Sequence, residues 1–238
     1  MDRAMVDLPP SCSPNCTLFV PHHYEPNFGY PLLVWLHGPG DDERQLKQIM
    51  PHISLRNYVA VCPRGCSSPL PGEAGFRWSQ TAPSIEAAEE RILDSIDTAC
   101  ARYQIAAEHV FLAGFQCGGT MALRIGLQHP ERFAGLASIG GSFPEGFAPL
   151  ARLRQIRGLP LFIAQGRDSL EYPLQQSCEE LHLFHAASLH VTLRQYPVAD
   201  DLTTAMLSDL NAWMMERVTG VSQESSDEVQ VSCRKGLN

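Results

Sequence analysis

HVFLAGFQCGG, residues 109–119, decides how this chain is read. An apolar run of strand length enters Gly114-x-Gln116-x-Gly118, and a helical pattern, TMALRIGLQ, leaves it. A chain that turns directly from strand to helix forces its central residue into strained backbone, so the residues two before and two after must be small. Both are glycine. The spacing is that of a turn that presents a nucleophile, yet its centre is Gln116, whose amide has no nucleophilic lone pair near neutral pH. No serine lies anywhere in residues 109–120. The dinucleotide-binding alternative needs G-x-G-x-x-G with an acidic residue about 20 positions on, and this stretch does not fit it.

Outward from the turn, apolar runs alternate with helical spacing. The runs are TLFV (17–20), PLLVWLH (31–37), NYVAVC (57–62), HVFLAGF (109–115), AGLASI (134–139), LPLFIA (159–164) and VTLRQY (191–196). Most are apolar throughout, as strands covered on both faces must be; the last alternates with polar residues and suits an edge. Ile85, Ala88, Ile92, Ile96, Ala99 and Tyr103 fall three or four apart, with Ser84 as a candidate cap and acidic residues in the first turn. Leu170, Leu174, Cys178 and Leu181 repeat the spacing, as do Leu202, Met206, Leu210 and Trp213. This order predicts an α/β fold with a mostly parallel central sheet and helices on both faces.

The chain has 238 residues, 44% of them apolar, enough for one core, and the sequence predicts a single domain over residues 17–219. Residues 1–16 carry three prolines without periodicity, and 220–238 are polar after Gly220, which is placed to stop the last helix. Both ends are expected to be mobile. With 18 basic and 26 acidic residues the net charge is −8, which disfavours nucleic acid and anionic lipid as partners. No apolar run is long enough to span a bilayer, and the start lacks the charged-then-apolar pattern of a signal peptide, so a cytoplasmic protein is expected. The eight cysteines, at 12, 16, 62, 66, 100, 117, 178 and 233, then read as free thiols. The pairs 12/16 and 62/66 have ligand-like spacing without a second half, and no metal or cofactor is expected.

Other stretches carry a resemblance. A strand runs into His37-Gly38-Pro39-Gly40-Asp41-Asp42, Val61-Cys62-Pro63-Arg64-Gly65 closes the next, and GFQCGGTMALRIGLQHPERFAGLASIGG follows. Together these resemble the phospholipase/carboxylesterase branch of the α/β-hydrolases, which includes acyl-protein thioesterases, over about residues 17–218. The resemblance implies the α/β-hydrolase fold and cleavage of carboxylic esters or thioesters by Ser, Asp and His in that chain order, without metal or cofactor. The family's pattern would be HGxGD, GFSQGG at the elbow, HGxxDxxVP after a later strand, and GH near the last helix.

Carried over position by position, these roles fall on unsuitable residues. The serine position is Gln116. The acid falls on Ser169 in QGRDSLEYP by ungapped matching, or on Asp168 after a one-residue slip, which is preferred. The histidine falls on Asp200 or Asp201 in YPVADDLTT, and no histidine follows His190. One oxyanion donor would be the N–H of the residue after His-Gly, which is Pro39 and has none; the other would be the N–H of Cys117. Loss of one such donor costs about 100- to 1,000-fold. The expectation is a pseudo-hydrolase that binds a small acyl-type ligand or a protein partner, self-association remaining open. The alternative is an ester or thioester hydrolase of altered chemistry, with Cys117 as nucleophile or Asp168 and Asp200 as an acid/base pair; a structural thiol and solvated carboxylates are the plainer accounts. His182, His185 and His190 are read as solvated. His37 is expected to shape its loop, and His37, Trp78, Ser142 and Tyr172 are candidates to line the pocket, packing being the alternative for the aromatic ones.

Overall fold

The computed structural model describes residues 15–67, 75–146 and 148–220. Most of both expected mobile ends, residues 1–14 and 221–238, therefore lies outside the described residues. Seven strands form one sheet: β1 (Cys16–Phe19), β2 (Tyr30–Leu36), β3 (Val59–Pro63), β6 (Ile105–Phe115), β7 (Gly135–Ile139), β8 (Pro160–Gly166) and β9 (His190–Tyr196). Their order is β1-β3-β2-β6-β7-β8-β9. Only β1 runs antiparallel, against β3; every other pairing is parallel. A two-stranded ribbon, β4 (Cys66–Ser67) with β5 (Phe76–Arg77), stands apart. The expected α/β-hydrolase architecture is present, and β9 forms an edge as its partly polar pattern predicts.

The continuous apolar runs are explained by burial on both sides. Along β2, Leu32, Val34 and Leu36 enter one core cluster, shared with Ile85, Ile92 and Met121 from helices α2 (Ala82–Arg102) and α3 (Cys117–Gln128). Leu33 and Trp35 point the other way, into a cluster with Leu46, Ile49, Met206 and Leu210 from α1 (Gln45–Ile53) and α6 (Thr204–Thr219). The period of two along a strand thus feeds helices on both faces.

Three helix boundaries differ from expectation. α2 starts at Ala82 with Thr81 as N-cap, so Ser84 lies inside it and is not the cap; Pro83 fits the first turn, where its missing N–H costs nothing. No acidic residue falls in that first turn. A short α4 (Leu153–Ile156) precedes β8, and α5 (Leu174–Ala186) begins only after Pro173. Leu170 is outside α5 and 87% exposed, because the residue before a proline avoids helical backbone and ends any upstream extension. α6 begins at Thr204, its N-cap Thr203 accepting from the Met206 N–H at 3.3 Å, and stops at Gly220 in left-handed conformation (φ 67°).

Candidate functional site

The turn between β6 and α3 is built by close approach. A Cβ at Gly114 would lie 2.4 Å from the Gly118 carbonyl carbon, and one at Gly118 would lie 2.2 Å from the Leu36 oxygen, so neither position admits a side chain. Gln116 between them has φ 46° and ψ −116°, a sparsely populated conformation for any residue but glycine. Its N–H donates to Ile139 O at 2.7 Å and its C=O accepts from Thr120 N at 3.0 Å, which anchors the strain.

The Gln116 side chain is half-buried and reaches across to the loop after β9. Its Nε2 donates to the main-chain oxygen of Asp200 at 3.1 Å. The Asp200 carboxylate in turn accepts from the Ser169 hydroxyl, from Leu170 N at 3.2 Å and from Glu171 N at 3.4 Å. The Ser169 Oγ also accepts from Tyr172 N at 2.9 Å. Gln116, Ser169 and Asp200 are therefore joined by hydrogen bonds that tie three loops together. Asp168 is elsewhere: its carboxylate is 67% exposed and faces Arg167 at 3.8 Å. Asp201 is exposed. The Asp168 and Asp200 carboxylates thus engage separate partners.

Three donors, the Ser169 hydroxyl first among them, hold the Asp200 carboxyl below its ordinary range. A carboxylate so stabilised is a weak base near neutral pH. The Cys117 thiol is pushed the opposite way: burial raises it, more than the main-chain N–H of Trp78 and the nearby Arg77 charge lower it. It is a thiol, not a thiolate, at neutral pH.

His37 is fully buried. Its Nε2 accepts from Gly65 N at 2.9 Å, which leaves Nδ1 to carry the proton and donate to Gly38 O at 2.8 Å. Burial lowers its basicity further. It fastens two loops as a neutral ring. Pro39 is exposed at the top of the next turn, where Gly40 N donates to Phe76 O at 2.9 Å and Phe76 N to Asp41 O at 3.1 Å. Gln45 braces the same turn, its Oε1 accepting from Trp35 Nε1 at 2.7 Å and its Nε2 donating to Asp41 at 2.8 Å.

Beside the elbow opens a cleft of about 390 Å³, between residues 77–80, the first turn of α3 at Cys117 and Thr120, and Ser142 after β7. Trp78 and Ser142 line it, whereas His37 and Tyr172 do not. His37 packs behind Trp78 with ring centroids 5.5 Å apart. Tyr172 is turned inward, its hydroxyl donating to Glu180, a buried carboxyl that also accepts from Phe143 N at 3.0 Å. A second cleft of about 370 Å³, lined by Tyr30, Arg56 and Val218 among others, lies at the opposite end of β2, away from the elbow.

Sequence reasoning missed the residue that shapes the cleft wall. Arg124 of α3 is completely buried, and its guanidinium donates to Gln80 Oε1, to Glu145 O and, at 3.1 Å, to Gly146 O. The signal was present, since a lone arginine inside MALRIGL calls for a buried set of acceptors. Among the described residues no group of three His, Cys, Asp or Glu side chains is placed to hold a metal. His182, His185 and His190 are all exposed.

Comparisons with known proteins agree with this fold. NocK of Nocardia uniformis subsp. tsuyamanensis, an esterase by provisional assignment, is 30% identical over 144 residues, which is 58% of this chain and 40% of that protein. The match thus spans under half the length of that curated relative. Among solved structures, SOBER1 of Arabidopsis thaliana superposes with a TM-score of 0.68 at 19% identity, over 80% of this chain and 100% of that one. Acyl-protein thioesterase 2 of Zea mays gives 0.68 at 16% identity, over 85% and 98%. The profile of the phospholipase/carboxylesterase family matches residues 29–215, so with its elbow, sheet order and loops in place the chain belongs to that family.

Proposed function

We propose that this protein is a pseudo-hydrolase of the phospholipase/carboxylesterase family, which binds a small acyl-type ligand or a partner without cleaving it. One observation carries the reading: the residue at the elbow is a glutamine whose amide is hydrogen-bonded to the Asp200 backbone. The position that would hold an attacking oxygen instead holds a tie between loops. Three further features support it. The Asp200 carboxylate is a weak base, Pro39 has no N–H to place on an oxyanion, and the Cys117 thiol is held protonated. In a well-studied protease, removing the triad leaves only about 1,000- to 10,000-fold over water, and that remainder relies on an oxyanion hole.

The test is direct. Purified protein is expected to leave nitrophenyl butyrate and acyl thioesters intact and to take no label from a fluorophosphonate probe. Turnover that disappears in Gln116→Ala would overturn the reading.

A further inference from the structure

We propose that the chain forms a weak two-fold dimer in which the acidic outer stripe of α2 in each copy meets an arginine patch on and beside α4 of the other. The proposal concerns the outer surface and is independent of the reading of the elbow.

Two groups of like charge stand without countercharges. Glu86, Glu90, Asp94 and Asp97 are all exposed, and at about 3.6 residues per turn they fall within one quadrant of α2, opposite the face that buries Ile85, Ile92 and Ile96. None of the four is in an ion pair among the described residues; Glu89, which pairs with His129 at 2.8 Å, lies off the stripe. Their spacing sets Glu86 against Glu90 and Glu90 against Asp94, which works against the helix unless a cation covers them. The arginines are the converse. Arg152, Arg154 and Arg157 in and around α4, and Arg132 in the single turn Pro130–Arg132, are exposed, and none of their guanidinium groups has a hydrogen bond or ion pair among the described residues. Glu131, next to Arg132, faces His129 instead. α4 packs against that turn, so the four form one patch, and Leu153, between two of them, is 48% exposed.

Placement makes the two groups self-complementary. Ile156 of α4 enters the same core cluster as Ile85 and Ile92 of α2, so both helices lie on one side of the sheet. α3 packs against α2 and leads into the turn 130–132. Helix spacings of about 8–10 Å then put stripe and patch about 20 Å apart, beyond the screening length of about 8 Å, so they do not neutralise each other within one molecule. Between them runs the segment 148–151, from α3, where Arg124 holds the carbonyls of residues 145 and 146, to α4. It is apolar: Ala148 and Ala151 are exposed, Pro149 and Leu150 half-buried. A two-fold axis over this segment brings each stripe onto the other copy's patch around an apolar centre, as an isologous contact requires. Copies of a chain with net charge −8 repel one another elsewhere, which makes the one face of matched opposite charge the place where they meet.

Sedimentation equilibrium of the full chain at low salt reads the association, and native mass spectrometry reads its stoichiometry. The wild type should dimerise with a Kd of about 100 μM or tighter and form nothing larger. Arg152→Glu with Arg154→Glu sets acid against acid, and Glu90→Lys with Asp94→Lys sets base against base; each pair should weaken self-association by about tenfold or more. Mixed in equal amounts, the two variants should recover a heterodimer of wild-type strength within about threefold, because both contacts are again opposite in sign. Arg44→Glu with Arg56→Glu makes the same change in net charge at the two ends of α1, on the other side of the sheet, and should leave the dimer within about threefold of the wild type.

A wild type still monomeric at about 300 μM would overturn the proposal, as would assembly beyond the dimer, which marks a head-to-tail contact. Undiminished association of either patch variant would do the same. So would an equal loss in the Arg44 and Arg56 variant, which assigns the effect to net charge, or a mixture that stays monomeric, which means that stripe and patch do not face each other.

Discussion

Gln116 combines a strained backbone with a side chain that cannot perform the task for which such strain is stored. Positive-φ strain costs about 1–3 kcal/mol in a non-glycine residue. Replacement by alanine retains that strain and removes the bond to Asp200, whereas glycine removes both. Gln116→Gly should therefore be more stable than Gln116→Ala by about 1 kcal/mol or more, the reverse of their usual order, as urea unfolding will measure. Asp200 gives a pH signature. Its carboxyl is lowered on folding, so its contribution is present above the ordinary value of 3.8 and disappears as pH falls through the folded value. Asp200→Asn should lose stability at pH 7 and match the wild type in strong acid, by denaturant unfolding across that range. The sequence made Gln116 legible because glycines two positions either side allow only one centre. For the acid position it favoured Asp168 over Ser169, whereas the turn places Ser169 against Asp200 and Asp168 against Arg167. Arg167 N bonds Tyr196 O at 2.8 Å and Asp168 N bonds Val198 O at 3.1 Å, which leaves Ser169 facing inward.

At the scale of elements, the elbow is a contact between β2 and the start of α3. Gly118→Ala would drive a methyl to 2.2 Å from the Leu36 oxygen, and neither partner can yield because both are backbone. The expected cost is about 3 kcal/mol or more, read as a lowered urea midpoint with an unchanged slope. Strands were legible because burial on both faces leaves apolar runs. Helix starts were less so. Thr81 and Ser84 are equally good caps by composition, and only the placement of Pro83 in the first turn separates them. The cleft was half legible: Trp78 and Ser142 stood in stretches matching the family, but Gln80 is ordinary in sequence and acquires meaning only through Arg124 across the cleft wall.

For the whole molecule, the sheet and its two apolar layers follow from pattern alone, while the polar ties between loops do not. No helix among the described residues is long and apolar enough to cross a membrane. Glu180 is such a tie, connecting α5 to Phe143 and Tyr172. Burial raises its carboxyl, so folding favours the protonated acid more than the unfolded chain does. Stability is full below the ordinary value of 4.5 and declines as pH rises through the raised one. Glu180→Gln, which never ionises, should gain on the wild type as pH rises above 4.5 in thermal melts. A last consequence belongs to Arg124. One cation grips both the amide of Gln80 and the carbonyls of residues 145 and 146, so two stretches 65 positions apart in the chain are fastened to a single point on the helix that begins at the elbow.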